Sequence, residues 1–223
     1  MKWSNWLQGG PFLEVSFILE LKEKKQIVIQ DIIKKLSTVR NKIEVVDKNI
    51  NEIIDFFDRG YFSDDADPLS INLHSLRLRL YVYVARKRKA TLQIDMVSAN
   101  ALLVNFWFYA SECDEPKWGQ VGVKKEELMD FTRFLEELYF VYEFKIGATA
   151  IEEDVLKLFG FDEEYPKECY RFENLTPSYF LHDPSPFVNI IWNEKYKQLS
   201  HIPYNYRRLD KEGLIIETGS LDD

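Results

Sequence analysis

The run Ala101–Ala110 (ALLVNFWFYA) is apolar on both alternating faces and is interrupted mainly by Asn105. Successive side chains of a strand point to opposite sides, so a two-sided apolar strand must be buried on both. The run therefore predicts a central strand that serves as scaffold. Asn105 inside it needs hydrogen-bond partners, because an unpaired buried amide costs about 1–3 kcal/mol.

The flanking segments carry one-sided patterns. In Phe12–Lys22, residues Leu13, Val15, Phe17, Leu19 and Leu21 share a face opposite Glu14, Ser16, Glu20 and Lys22, the signature of a half-buried strand. Ile29, Ile32, Ile33 and Leu36 lie at helical spacing, and so do Ile50, Ile53, Ile54 and Phe57. A short strand is expected at Ile43–Val46, a helix stop at Gly60 and a loop at Ser63–Pro68. Leu76–Ala85 alternates again, with Arg77, Arg79, Tyr81 and Tyr83 outward. The expected hairpin tip is Arg86–Lys89, and Leu92, Ile94 and Met96 face inward on the return strand.

Lys124–Tyr142 has the clearest helical stripe, built on Leu128, Phe131, Phe134 or Leu135, Leu138 and Val141 or Tyr142. Phe144–Ile151 reads as a strand whose Gly147 admits close approach by a neighbour. Five prolines then divide the chain beyond Phe161, with short strands expected at Phe187–Trp192 and Leu214–Glu217. The order predicts an α+β fold: a mainly antiparallel sheet with helices packed on one face. A ferredoxin-like core is one topology this order admits. One domain is expected over residues 1–223, with a core at about 11–159 and an irregular extension at about 160–223.

With 223 residues the chain can bury roughly 70% of its unfolded surface without staples. Its two cysteines, Cys113 and Cys169, are far apart and form no CxxC, which fits a reducing compartment. No long apolar run suggests a signal peptide or a transmembrane helix, so the expected location is cytoplasmic. The formal charge of −8 opposes unspecific adhesion to nucleic acid or anionic lipid and is compatible with a basic partner.

Four constellations could carry chemistry. The basic hairpin (Arg77, Arg79, Arg86, Lys87, Arg88, Lys89, with Tyr81 and Tyr83) combines charge and stacking faces, as nucleic-acid modules do. The plainer account is a solvated strand face that discourages edge pairing. The acidic loop Glu112, Asp114 and Glu115 beside Trp118 follows the rigid strand and suits recognition of a Lys/Arg-rich surface. It lacks the spacing of a calcium loop. Glu152, Glu153 and Asp154 end a strand, where carboxylates can split into acid and base, although acids there also favour a helix N-terminus. Cys169, His182 and Asp183 would have to converge in space to form a thiol site. No zinc spacing and no glycine-rich phosphate or nucleophile motif occurs, so no metal or cofactor is expected.

The resulting expectation is a non-catalytic, acidic protein-binding domain, of the immunity or antitoxin kind, that covers a basic partner such as a nuclease toxin. Its contact patch is Glu112, Asp114, Glu115 and Trp118. An enzyme using Glu152, Glu153, Asp154 and Asp95 comes second. A nucleic-acid-binding domain using the hairpin comes third.

Overall fold

The computed structural model describes residues 6–40, 42–62, 72–161, 164–176, 187–199 and 201–218. The Ser63–Pro68 loop, His182, Asp183 and the tail 219–223 lie outside them. The elements are β1 (Phe12–Glu20), α1 (Lys25–Lys35), β2 (Ile43–Val45), α2 (Ile50–Arg59), β3 (Tyr61–Phe62), β4 (Asn72–Leu73), β5 (Ser75–Val84), β6 (Arg86–Ser98), β7 (Ala101–Tyr109), α3 (Leu128–Tyr142), β8 (Ile146–Ile151), β9 (Phe187–Asn193), β10 (Asn205–Arg208) and β11 (Gly213–Glu217).

Nine strands form one antiparallel sheet in the order β10-β11-β9-β8-β1-β7-β6-β5-β2, and β3 and β4 pair separately. The fold is α+β, as the alternating patterns imply. A ferredoxin-like core is not confirmed by this order: β5, β6 and β7 pair as consecutive antiparallel neighbours, and α3 enters only between β7 and β8. Beyond residue 160, β9, β11 and β10 extend the same sheet from β8 outward.

β7 lies inside the sheet between β1 and β6, and Ala101–Phe106 are buried in succession. Its even-numbered residues Leu102, Val104, Phe106 and Phe108 meet the helices. α3 supplies Phe131, Phe134, Leu135 and Leu138 to that core, α1 supplies Ile29 and Ile32, and α2 supplies Ile53, Ile54 and Phe57. A second core lies on the opposite sheet face. Ile18, Leu103, Ile146, Ala148 and Trp192 are covered there by Val155–Phe159, Tyr170, Phe172 and Leu175. That cover is irregular backbone with short 3₁₀ turns, and the three α-helices among the described residues sit on the first face.

Gly147 is a close-approach position: an added Cβ would lie 2.7 Å from the Phe144 ring and 3.1 Å from Phe17 Cβ. The hairpin differs from its expectation. Val84 pairs directly with Arg86, and Ala85 alone makes the tip at φ 53°. Arg86–Lys89 therefore begin β6. Period-two alternation counted back from Ile94, Leu92 and Ala90 aims Arg88 and Arg86 toward the helices, while Lys87 and Lys89 face the other side.

Candidate functional site

No described helix packs on the second face of the sheet over β5, β6, β7 and the first half of β1. Strand register builds two polar rows across it. One runs Arg79–Thr91–Trp107–Glu14 and the other Arg77–Gln93–Asn105–Ser16. Between the strands, cations rest on aromatic faces. The Arg77 guanidinium lies 5.1 Å from the Trp107 ring centroid, Lys87 Nζ 4.3 Å from that of Tyr81, and Lys89 Nζ 4.8 Å from that of Trp6.

The basic hairpin is thereby largely consumed internally. Arg79 pairs with Asp47 at 2.7 Å and Lys87 with Glu44 at 2.9 Å, while Arg77 donates to Gln93 at 2.7 Å. Arg88 is 1% exposed. It donates to Glu127 at 2.7 Å and to the Val84, Val121 and Gly122 carbonyls. Arg86 holds the same Glu127 at 2.8 Å and reaches Asp114 at 3.3 Å. Burial pushes the Glu127 carboxyl up, but bonds from Arg86, the Lys124 backbone N–H and Arg88 outweigh it and bring the group down to about 2. A phosphate backbone would have to displace these partners.

The acidic loop is folded over this network. Asp114 accepts from the Gly122 N–H at 3.0 Å, and Glu115 and Gln120 exchange backbone bonds of 2.9 and 3.1 Å. Trp118 is half-buried: its ring lies 3.6 Å from where a Gly9 Cβ would sit, and its carbonyl accepts from Lys89 Nζ at 2.5 Å. Glu112 is exposed, Glu115 is half-buried, and neither side chain has an ion pair among the described residues. The four residues of the expected patch thus share one loop, with Glu112 and Glu115 offering charge and Asp114 tied to Arg86.

Glu152–Asp154 reach the same end of the sheet. A Cβ on Gly10 would lie 3.4 Å from Glu152 Oε1, and the Glu152 carboxylate accepts from the Phe12 N–H. Asp154 caps the turn Val155–Phe159 by accepting from the Leu156 N–H at 2.7 Å, and the Val155 N–H donates to Ser16 Oγ at 2.8 Å. The capping account of this acidic run is therefore correct for Asp154. Folding down onto Ser16, the segment brings Asp154 within electrostatic reach of Glu14 and Asp95.

Burial raises Glu14 to about 7; the hydrogen bond from Asn105 opposes the rise, and Asp154, Glu152 and Glu153 add to it. Burial likewise raises Asp154 to about 6 against the Leu156 bond, with Asp95 and Glu153 adding. Asp95 is raised by burial against hydrogen bonds from Ser75 and Gln93, and the Tyr165 phenol is raised by burial and by Asp95, Asp154 and Glu14. Two atoms of β7, Asn105 Oδ1 and Trp107 Nε1, are buried without a hydrogen-bond partner among the described residues. Asn105 has satisfied only its amide nitrogen.

Glu14 carries a pH prediction. A carboxyl raised in the fold contributes stability that is fully present below its unfolded value of 4.5 and is lost as pH rises through about 7. Glu14→Gln removes that loss. Thermal melts should show the variant gaining on the parent between about pH 4 and about pH 8. An equal difference at both pH values would show that Glu14 does not titrate in this window.

Sequence reasoning placed Glu14 on a solvated strand face and passed over Trp107 and Tyr165. The available signal was Asn105, a lone amide in a two-sided apolar strand, whose partner had to come from another strand. Cys169 is half-buried beside Tyr165 and Tyr170 in the second core, and Cys113 is exposed. Among the described residues no three His, Cys, Asp or Glu side chains are arranged to hold a metal ion. No described helix is long and apolar enough to cross a membrane. The chain matches no protein-family model, no curated protein and no solved structure.

Proposed function

We propose that the chain is a non-catalytic protein-binding domain of the immunity or antitoxin type, working in the cytoplasm. Its partner is a basic protein, such as a nuclease toxin, which docks against the acidic end of the sheet. One observation carries this reading. Two acidic groups distant in sequence, 112–115 and 152–154, follow the ends of β7 and β8 that flank the start of β1, where the loop residue Trp118 approaches Gly9 and Glu152 approaches Gly10, beside a part of the sheet that no described helix covers. Glu112 and Glu115, which have no ion pair among the described residues, gain from an incoming Lys or Arg. The net charge of −8 adds steering of a basic partner. Trp118, held by Gly9 and Lys89, gives the loop the aromatic anchor typical of binding hot spots.

The test compares two baits, the parent chain and a variant with Glu112, Asp114, Glu115 and Trp118 all changed to Ala. The parent should retain a basic protein in a salt-sensitive manner, and the variant should bind that protein about tenfold or more weakly. Undiminished affinity in the variant would remove the loop from the interface, and a captured partner of acidic charge would end the reading.

A second reading, an enzyme with a carboxylate acid/base site, is favoured by the staggered carboxyls: Glu14 at about 7 beside Asp154 at about 6. Turnover that follows an ionisation near 7 and disappears in Glu14→Gln would select it over the first.

A further inference from the structure

A cleft of about 530 Å³ opens on the other side of the molecule from the acidic loop's hairpin network, between α1, the end of β1 and the segment that follows α3. Its apolar lining comes from Ile18, Leu19, Val28, Ile32 and Phe144, and its size falls in the range of small-molecule sites. Lys145 also lines it. The residue is 5% exposed, and its backbone is clamped between β1 and β9 by Lys145 N to Ile18 O at 3.2 Å and Asn193 N to Lys145 O at 3.0 Å. Its Nζ donates to the Phe172 carbonyl and lies 4.5 Å and 5.5 Å from the Phe172 and Tyr196 ring centroids.

A buried ammonium normally finds a carboxylate. Here the nearby acids are engaged elsewhere. Glu20 pairs with Lys22 at 3.0 Å, Glu173 with Arg171 at 2.8 Å, and Glu143 with Lys211 at 2.8 Å. Among the described residues Lys145 has no ion pair, only a carbonyl and two aromatic faces. An amine in such a place gains by being neutral, and a neutral amine is a nucleophile.

We propose that Lys145 is the reactive amine of a covalent carbonyl-binding site, which takes an apolar aldehyde or ketone into this cleft as an imine. The Nζ lone pair bonds to the carbonyl carbon while the C–O π pair moves to oxygen. The carbinolamine then loses water, whose two hydrogens come from the amine, and C=N replaces C=O with no change of oxidation state. The apolar lining holds the carbon chain, and before the attack the Phe172 carbonyl orients Nζ by accepting one of the amine's N–H groups. Burial sets Lys145 at about 8, below an ordinary lysine, while Glu173 and Glu20 act in the opposite direction. Lys22, Glu23, Asp31, Lys35, Tyr142, Glu143, Lys195 and Tyr196 are the other titratable groups facing the cleft. The proposal is independent of the binding reading, because the acidic loop takes no part in it.

The test treats the full chain with hexanal and sodium cyanoborohydride, which traps imines as secondary amines, and maps the modified lysines by mass spectrometry. At about pH 7.5 Lys145 should be alkylated about tenfold or more faster than exposed lysines, because far more of it is neutral. Its rate should level off above about pH 8, while the others keep rising. Lys145→Arg should lose this fast phase and keep the slow ones. If exposed lysines and the terminal amine react first, and Lys145 reacts only in urea, it is a structural lysine and the proposal falls. The mapping on the parent chain decides this even if the variant does not fold.

Discussion

Glu127→Ala is expected to destabilise the fold by about 3–5 kcal/mol, because it strands Arg88 as an uncompensated buried charge. Arg88 is 1% exposed, and Glu127 is its only carboxylate partner among the described residues. The same carboxylate also holds Arg86 and accepts from the Lys124 N–H at 2.9 Å, so its removal frees the loop and the first turn before α3. Urea unfolding should show a lower midpoint with little change in slope. A double variant that also carries Arg88→Met should be less destabilised than the sum of the single changes, because the charge is then gone. A loss below about 1 kcal/mol for Glu127→Ala would mean that the carbonyls of Val84, Val121 and Gly122 suffice for Arg88.

The pH dependence of this network has the opposite sign to that of Glu14. Glu127 stands at about 2 in the fold and 4.5 unfolded. Its contribution is therefore present above 4.5 and is lost as pH falls through about 2. Glu14 removes stability as pH rises from 4.5 through about 7. Together the two groups favour a stability maximum on the acidic side of neutrality, and Glu127→Gln should flatten its lower flank.

Phe134→Ala is expected to cost about 3–5 kcal/mol, with Phe134→Leu below about 1.5 kcal/mol. Phe134 is fully buried where α3 crosses the middle of the sheet. Its ring meets Phe106 edge-on at 5.4 Å and Phe108 at 6.0 Å. Truncation leaves a cavity against two strands that pairing holds in place, so the site cannot collapse to fill it. Calorimetric unfolding of the two variants checks the ratio. Near-equal melting temperatures would mean that α3 docks through Phe131 and Leu138 instead.

Much of the fold was legible because its signals are local. The alternation in Phe12–Glu20 and Ser75–Val84, the two-sided run of β7 and the stripe of α3 follow from side-chain periods of two and 3.6. The hairpin tip was misread because four basic residues look solvated. Alternation from Leu92 and Ala90 already aimed Arg88 inward, and the missing knowledge was that Glu127, thirty-nine positions away, would receive it. The candidate site was less legible for the same reason. Glu14 looks like any outward strand residue until register sets it against Trp107, and Asp154 reaches it only because a turn folds back onto Ser16.

By itself, the sequence determined which residues of the main strands and helices face the helix-side core, the antiparallel α+β character, and the two acidic runs with their charge. Only the tertiary structure decided that those runs share one end of the sheet, that burial raises Glu14 and Asp154, and that Arg88 and Lys145 are buried basic groups with such different surroundings. Periodicity is a property of neighbouring residues. Register, desolvation and ion pairing depend on segments far apart in the chain, whose distances exist only once the sheet has closed.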